Sequence, residues 1–452
     1  MQSALNTPQL EYVLFHLNRH VNIDELKPYF KYGNAADTSW IQMPASENKI
    51  DLARHIPYAD KRLPVLFPCS DNSSFFSIED KKVIFHHDLL KACFYLLSGY
   101  QETQCDERDF AGRFPHKESI QNKLNINHLP LVNYYFKIII EGLKSWGIAN
   151  DIKVSERNLP HRGYFLLSHD IDRTHYYHWR ETAYRWMQVL GLRKATYDKK
   201  RLKKAALDSL LPTLFPGYKT DPFWSFKAMR KMEKARGMVS AWYFLNRDGS
   251  AHDARYFFKD KAIRDMMLHL HHDGCEIGLH GSLKTAESEI AMHKAMTDLK
   301  AAFPATIYGI RQHFLKFKVP ESYQIQAGAG LQYDTSVGFA EHEGFRNGYC
   351  HPFKPYDFEN DRMIDIWEFP LTVMDGTLFY YRKYNYEQAS DAMDTLLKEV
   401  KQFGGLFSLL WHNSFFDEYE FPGITQFYTS TLKQIADYDL KSVTGKQLLE
   451  LL

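Results

Sequence analysis

From residue 161 onward, short apolar runs alternate with amphipathic helical stretches, and this rhythm restricts the fold more than any other feature of the chain. The runs "GYFLLSHD", "MVSAWYFL", "CEIGLHG", "TIYGIRQHF", "LQYDTSVG", "IDIWEFPLTV" and "LFSLLWHNS" read as strands. Helical patterns lie between them. One is "KDKAIRDMMLHLHHDG", closed by Gly274; another is "DPFWSFKAMRKMEKARG", with Asp221 expected as N-cap, Pro222 at the first position and Gly237 at the end. Strands spaced by helices predict parallel βαβ units. About seven strands suits a closed barrel better than an open sheet, although a doubly wound sheet satisfies the same pattern. The earlier part of the chain lacks this rhythm. It holds two helical stretches, "DLLKACFYLLSGY" and "LPLVNYYFKIIIEGLKSWG", around a polar loop, "QETQCDERDFAGRFPHKES", in which no chemistry is legible. The expected organisation is an N-terminal accessory domain over residues 1–155 and a larger domain over 161–452.

In a parallel barrel, reactive groups gather at the C-terminal ends of the strands. The first strand ends in "LLSHDIDR", which carries His169, Asp170 and Asp172. On extended backbone the two aspartates share a face, and carboxylates that close raise each other's pKa unless a cation or strong donor sits between them. A metal ion resolves that conflict; so does solvent, if the segment is only a turn. Other strand ends carry His280 and Ser282, then Arg311, Gln312 and His313, then Asp334, then His412 and Asn413. One histidine after an apolar run is commonly structural. Polar groups at five strand ends point jointly to one site. Asp334 itself reads as a turn or N-cap residue, and His271 and His272 as residues suited to a helix C-terminus. "DKKRLKKAAL" reads as a solvated helix face, with peripheral membrane contact as a second reading, and "AGAG" is too short for a phosphate loop.

Composition removes several classes. The 452 residues are 44% hydrophobic and 25% charged, with a formal net charge of +1, so no global nucleic-acid-binding surface is expected. The best candidate for a membrane span, "VNYYFKIIIEGLKSWGI", is interrupted by Lys137, Glu141 and Lys144. The start, "MQSALNTPQLEYVLFHL", shows no basic region followed by an apolar core, so no secretory signal is expected and the cytoplasm is the expected compartment. The five cysteines (Cys69, Cys93, Cys105, Cys275 and Cys350) are scattered, which argues for a reducing compartment and against a disulfide framework or a cysteine zinc site. Aromatic residues make up 15% of the chain; some could line a sugar-binding cleft, while most serve core and rim.

The series "SHDID", "EIGLHGS", "GIRQHF", "YDTSVGF", "WEFPLTVMD" and "SLLWHN" resembles the polysaccharide deacetylase (NodB-homology, carbohydrate esterase 4-like) family over residues 161–452. The N-terminal region resembles the extra domain of a divergent bacterial branch associated with cell-surface polysaccharide synthesis. The resemblance implies an α/β fold, a distorted (β/α)7-type barrel of the polysaccharide deacetylase kind preceded by a smaller α/β domain. It implies Asp170 as the base and Asp172 as a metal ligand. The family's second motif, H-S/T-x-x-H, supplies two histidine ligands; here it reads from His280 to Lys284, so His313 on the next strand is the nearest replacement for the second. Arg311 falls where the family has an arginine that pairs with the base aspartate. His412 matches the histidine that protonates the leaving group, oriented by Asp375 or by Glu368.

Hydrolysis of an N-acetyl amide needs a Lewis acid, a base and an acid. An Asp/His/His set suits Zn²⁺ first, with Co²⁺ or Fe²⁺ also accommodated. The leading expectation is therefore a metal-dependent hydrolase that removes an acetyl group from an N-acetylated sugar of a surface polysaccharide or its precursor. The first alternative is a catalytically inactive deacetylase-fold protein that binds glycan or a biosynthetic partner. A second is a metal hydrolase acting on a small amide or O-acyl ester. The sequence names no sugar, linkage or oligomeric state.

Overall fold

The computed structural model describes residues 3–33, 39–157, 162–195, 197–250 and 252–452; the expected start of the second domain, at 161, lies outside them. The N-terminal region packs helices α1 (Thr7–Leu17), α2 (Leu89–Leu97) and α3 (Leu131–Asn150) against a small mixed sheet formed by Phe30–Tyr32, Ile41–Met43, Lys82–Phe85 and Phe76–Glu79, in that order. Asn6 caps α1 through a reciprocal capping box with Gln9, and Asp88 caps α2 by accepting from the Lys91 backbone.

The larger region is a mixed α/β structure around a curled parallel sheet. Its strands are β1 (Tyr164–Ile171), β2 (Ser240–Leu245), β3 (Glu276–Gly281), β4 (Gly309–Gln312), β5 (Tyr333–Asp334), β6 (Trp367–Glu368), β7 (Val373–Met374), β8 (Leu406–Leu410) and β9 (Lys441–Ser442). The spatial order is β6-β5-β4-β3-β2-β1-β8-β7, with β9 beside β1. Every pairing is parallel, as the strand–helix rhythm requires. The seven-strand expectation is corrected in two places. The single run "IDIWEFPLTV" yields two strands, β6 and β7, split at Pro370, which offers no N–H to a ladder. The two are not paired among the described residues, so the ladder stays open there instead of closing as a (β/α)7 barrel.

Four helices fill the β1–β2 connection: α4 (Trp179–Val189), α5 (Lys199–Asp208), α6 (Leu210–Leu214) and α7 (Phe226–Lys234). The α7 expectation needs correcting at its start. The helix begins four residues later than Pro222, and Asp221 instead accepts from the backbone of Tyr176, Tyr177 and Phe223, tying the end of the β1 loop to the approach to α7.

The β5–β6 connection is the seam with the N-terminal region. Tyr12 Oη donates to the Lys354 carbonyl, Arg19 to the Pro352 carbonyl and the Asn347 amide to the carbonyls of Leu96 and Leu97. One continuous hydrophobic core includes Tyr12, Phe94 and Trp146 from the first region and Trp242, Leu279 and Trp411 from the second.

Strand β1 is pinned from behind. Because side chains alternate, His169 faces the helix layer while Asp170 faces the sheet's concave interior. His169 Nδ1 donates to the Trp411 carbonyl (2.8 Å), and Nε2 lies 3.1 Å from Glu233 on α7. Glu233 also accepts from Arg230, Ser240 Oγ and Tyr428 Oη. Burial works against its charge, but His169 and Arg230 outweigh it and hold the carboxyl down at about 2. Glu233→Ala would strand the Arg230 guanidinium in the core and leave His169 Nε2 without its carboxylate neighbour. It is expected to cost about 3–5 kcal/mol of stability, read from urea unfolding.

Candidate functional site

The C-terminal ends of the strands open into a cleft of about 570 Å³ whose lining includes Asp170, Asp172, His280, His313 and His412. The distribution follows from the parallel sheet: β1 delivers Asp170 and, one step past its end, Asp172; β3 delivers His280; the turn after β4 delivers His313; the residue after β7 is Asp375; and β8 leads into His412.

Three side chains form a compact donor set. His280 Nε2 lies 3.2 Å from Asp172 Oδ1 and 3.0 Å from His313 Nδ1, and His313 Nδ1 lies 3.5 Å from Asp172 Oδ1. The His280 tautomer is fixed by its partner. Nδ1 sits 2.9 Å from the Arg311 carbonyl, which can only accept, so Nδ1 carries a proton and Nε2 is the ring nitrogen turned toward Asp172 and His313. Burial is the main influence on His313 and lowers it to about 4, which keeps the imidazole neutral. Burial alone would raise the Asp172 carboxyl, but His313, His280 and His412 hold it far below its ordinary value. Among the described residues, Asp172 Oδ1 and Asp170 Oδ1 are buried with no hydrogen-bond partner. Ligands about 2.0–2.1 Å from a tetrahedral Zn²⁺ stand about 3.3 Å apart, close to the three separations here. A neutral-imidazole and carboxylate set with an orphaned buried oxygen fits such an ion.

Around this set stand the remaining sequence-predicted residues. Asp170 Oδ2 approaches His280 Nδ1 at 3.6 Å, so both aspartates of the motif face the same imidazole. His412 Nδ1 donates to Asp375 Oδ1 at 2.8 Å, and the His412 backbone N–H donates to Asp375 Oδ2 at 2.5 Å. This leaves His412 Nε2 facing the cleft, 3.9 Å from Asp172 Oδ2. Burial opposes charge on His412, but Asp375 first, then Asp172 and Asp170, raise it to about 9. Between the two candidates for orienting His412, the geometry selects Asp375. Glu368 is elsewhere, accepting from Tyr323 Oη and the Val337 backbone. Asp334, expected as a turn or N-cap residue, instead ends strand β5, where it accepts from the Ser336 backbone and the Gln326 amide.

One expected pairing is absent. Arg311 is fully buried, but among the described residues it has no carboxylate within 4.0 Å, Asp170 included. Its Nη2 donates to Ser168 Oγ (3.0 Å) and Thr335 Oγ1 (3.1 Å). Ser168 shares the interior face of β1 with Asp170 but lies two residues earlier, about 6.5–7 Å down the strand. The guanidinium therefore ends one layer below Asp170. Lys284, at the position where the sequence motif leads one to expect a second histidine, turns away from the cleft: its Nζ donates to the Asp248 carbonyl at 3.0 Å and lies 3.8 Å from Asp248 Oδ1.

Arg113 is a cleft residue that sequence reasoning missed. It comes from the polar loop of the N-terminal region, where nothing in the local sequence marks it. It is braced by Asp109, donates to the Phe314 carbonyl at 2.8 Å and approaches Tyr381 Oη at 3.4 Å. Phe314 and Leu315, which follow His313, have φ of +60° and +55°, a left-handed conformation costing about 1–3 kcal/mol each for residues with a Cβ. Arg113 thus bonds the strained turn that carries His313.

A family model described as "Family of unknown function (DUF7033)" matches residues 2–147. No curated protein matches the chain. Solved structures similar to it include the following three. A Mycobacterium smegmatis protein assigned as a polysaccharide deacetylase is 12% identical, with a TM-score of 0.41 over 65% of this chain and 92% of its own. A CE4-family pseudoenzyme from Bacillus anthracis is 9% identical, with a TM-score of 0.32 over 64% and 66%. The CE4 domain of a multidomain xylanase from the hindgut metagenome of Trinervitermes trinervoides is 9% identical, with a TM-score of 0.28 over 64% and 91%.

Proposed function

We propose that the chain is a metal-dependent hydrolase that removes an acetyl group from an N-acetylated sugar of a surface polysaccharide or its precursor. The observation that carries this reading is the meeting of Asp170, Asp172, His280, His313 and the Asp375–His412 pair at one end of a parallel sheet, in a cleft large enough for a sugar ring. The motif order from "SHDID" to "SLLWHN" supports the same assignment.

Asp172, His280 and His313 would hold the metal, Zn²⁺ by preference. The ion would supply Lewis-acid polarisation of the acyl carbonyl and a lowered pKa for water. Asp170 takes the proton from the attacking water as the new C–O bond forms. His412, charged, gives its Nε2 proton to the departing amine nitrogen as the C–N bond breaks. Asp375 fixes the His412 tautomer and stabilises its charge, while the Arg311 carbonyl fixes His280.

The test uses the purified full-length protein. Elemental analysis should find about one zinc per chain, and N-acetylated oligosaccharides should release acetate. Zinc without acetate release from either amide or ester substrates would overturn the enzymatic reading. Absence of metal even after zinc addition would favour a glycan-binding protein without activity, a reading to which the missing Arg311–Asp170 pair lends some support.

Asp375→Asn tests the role of His412. The carboxylate is the leading influence that raises His412, and the proton-donating form is lost as pH rises through that value. Removing the anion should move the alkaline limb of the acetate-release profile toward neutrality and reduce kcat by about 10²-fold or more. An unmoved limb would assign the leaving-group proton to another residue.

A further inference from the structure

The insertion between β1 and β2 carries a surface that the deacetylase reading does not use. Of the twenty-three large apolar side chains exposed among the described residues, ten fall within 179–218. Leu207, Leu210, Leu211, Leu214, Phe215 and Tyr218 recur at intervals of three and four, the spacing that normally builds a buried stripe. Here the stripe is outside: Leu214 is 69% exposed, Phe215 62% and Tyr218 65%. Helix α4 is inverted in the same sense. It buries Glu181, Thr182, Arg185 and Gln188, and Glu181, Arg185 and Gln188 line the cleft together with Tyr184 at its rim, while Trp179 faces solvent.

The charge around the stripe is equally uneven. Residues 179–219 hold ten Lys or Arg and three Asp or Glu, in a chain whose net charge is +1. On α5, Lys199, Lys200, Lys203 and Lys204 are all exposed, while only Leu202, Ala205 and Ala206 are buried. Among the described residues, none of these four lysines has a carboxylate within 4.0 Å; the only acidic residues near them in sequence are Asp198, which caps α5, and Asp208 at its end. Exposed aromatic and leucine side chains beside unpaired lysines are the composition of a segment that lies in a lipid interface. A second copy of this chain would set like charge against like charge across a two-fold contact. Among the described residues, no helix is long and apolar enough to cross a membrane.

We propose that the 179–219 surface docks on an anionic lipid bilayer, with its apolar stripe in the headgroup–acyl boundary and its lysines on lipid phosphates. Because the inner face of α4 lines the cleft, docking places the cleft mouth about one helix diameter, about 10 Å, from the lipid surface. The docking does not depend on the catalytic reading, since it is measured without turnover. If both hold, the N-acetylated substrate is one presented at a membrane.

The test is sedimentation of the full-length protein with vesicles of phosphatidylcholine alone or with about 30 mol% phosphatidylglycerol. The expected result is about tenfold or greater partitioning onto the anionic vesicles, weakened by salt, with a blue shift in tryptophan emission that Trp179→Phe diminishes. Two multiple variants should each remove most of the binding while leaving thermal unfolding unchanged: Leu211→Ser with Leu214→Ser and Phe215→Ser, and Lys199→Glu with Lys200→Glu, Lys203→Glu and Lys204→Glu. Wild-type protein left in the supernatant would overturn the proposal, as would an apolar-stripe variant that binds like wild type. A dimer in light scattering that the stripe variant dissociates, without vesicle binding, would make the surface a self-interface and equally overturn it.

Discussion

Asp170→Asn is expected to retain bound metal and lower kcat for acetate release by about 10²–10⁴-fold, the range associated with losing a general base. Asp172→Asn is expected to lose the metal itself. The two aspartates are separated by one residue and face the same imidazole, yet their surroundings differ. Asp172 Oδ1 is within 3.5 Å of nitrogen atoms from both His280 and His313 and completes the donor triangle. Asp170 reaches only His280 Nδ1, the nitrogen already committed to the Arg311 carbonyl, so it has no free ligand nitrogen beside it and keeps a bare oxygen, Oδ1, for a proton. Metal content measured alongside turnover separates the roles. Loss of metal in Asp170→Asn would exchange the assignments, and unchanged turnover in a metal-loaded variant would place the base elsewhere.

The sequence made the strand–helix alternation legible because β1, β2, β3 and β8 are buried runs of five to eight residues, and hydrophobic pattern reports burial directly. It failed at three strands of two residues each, β6, β7 and β9, although the equally short β5 was read within "LQYDTSVG". β6 and β7 are too brief to carry a period, so they merged into one apparent strand, and β9 left no trace at all. The convergence of Asp170, Asp172, His280, His313 and His412 was legible because parallel topology sends every strand end to one rim. Features set by side-chain reach were not. Arg311 sits at the expected strand end but extends down toward Ser168, and Lys284 sits in motif register but swings out to Asp248. Asp221 had the right residue type for a helix cap, yet it serves the backbone of a segment 44 residues away. Arg113 illustrates the general limit: its partner at Phe314 is 201 residues distant, and no local pattern encodes such a contact.

His313→Ala is expected to weaken zinc binding by 10³-fold or more, since loss of even an outer-shell partner commonly costs about 10–100-fold. The effect should be larger than that of any substitution at Lys284, although Lys284 is the residue at which the sequence motif leads one to expect a second histidine. The reason is direction. Lys284 is 58% exposed and hooked onto Asp248, whereas His313 Nδ1 is 3.0 Å from His280 Nε2 and 3.5 Å from Asp172 Oδ1. Lys284→Ala should therefore leave metal content unchanged in a chelator-competition titration. Arg113→Ala should fall between the two, because it removes the hydrogen bond to the Phe314 carbonyl and lets the strained turn relax away from the donor set while His313 itself remains. A graded order, His313→Ala weakest, Arg113→Ala intermediate and Lys284→Ala equal to wild type, would mean that the second histidine ligand has moved to the next strand and that the N-terminal region helps to hold it there. Equal affinity for His313→Ala and wild type would remove His313 from the ligand set and with it the reason for Arg113 to matter.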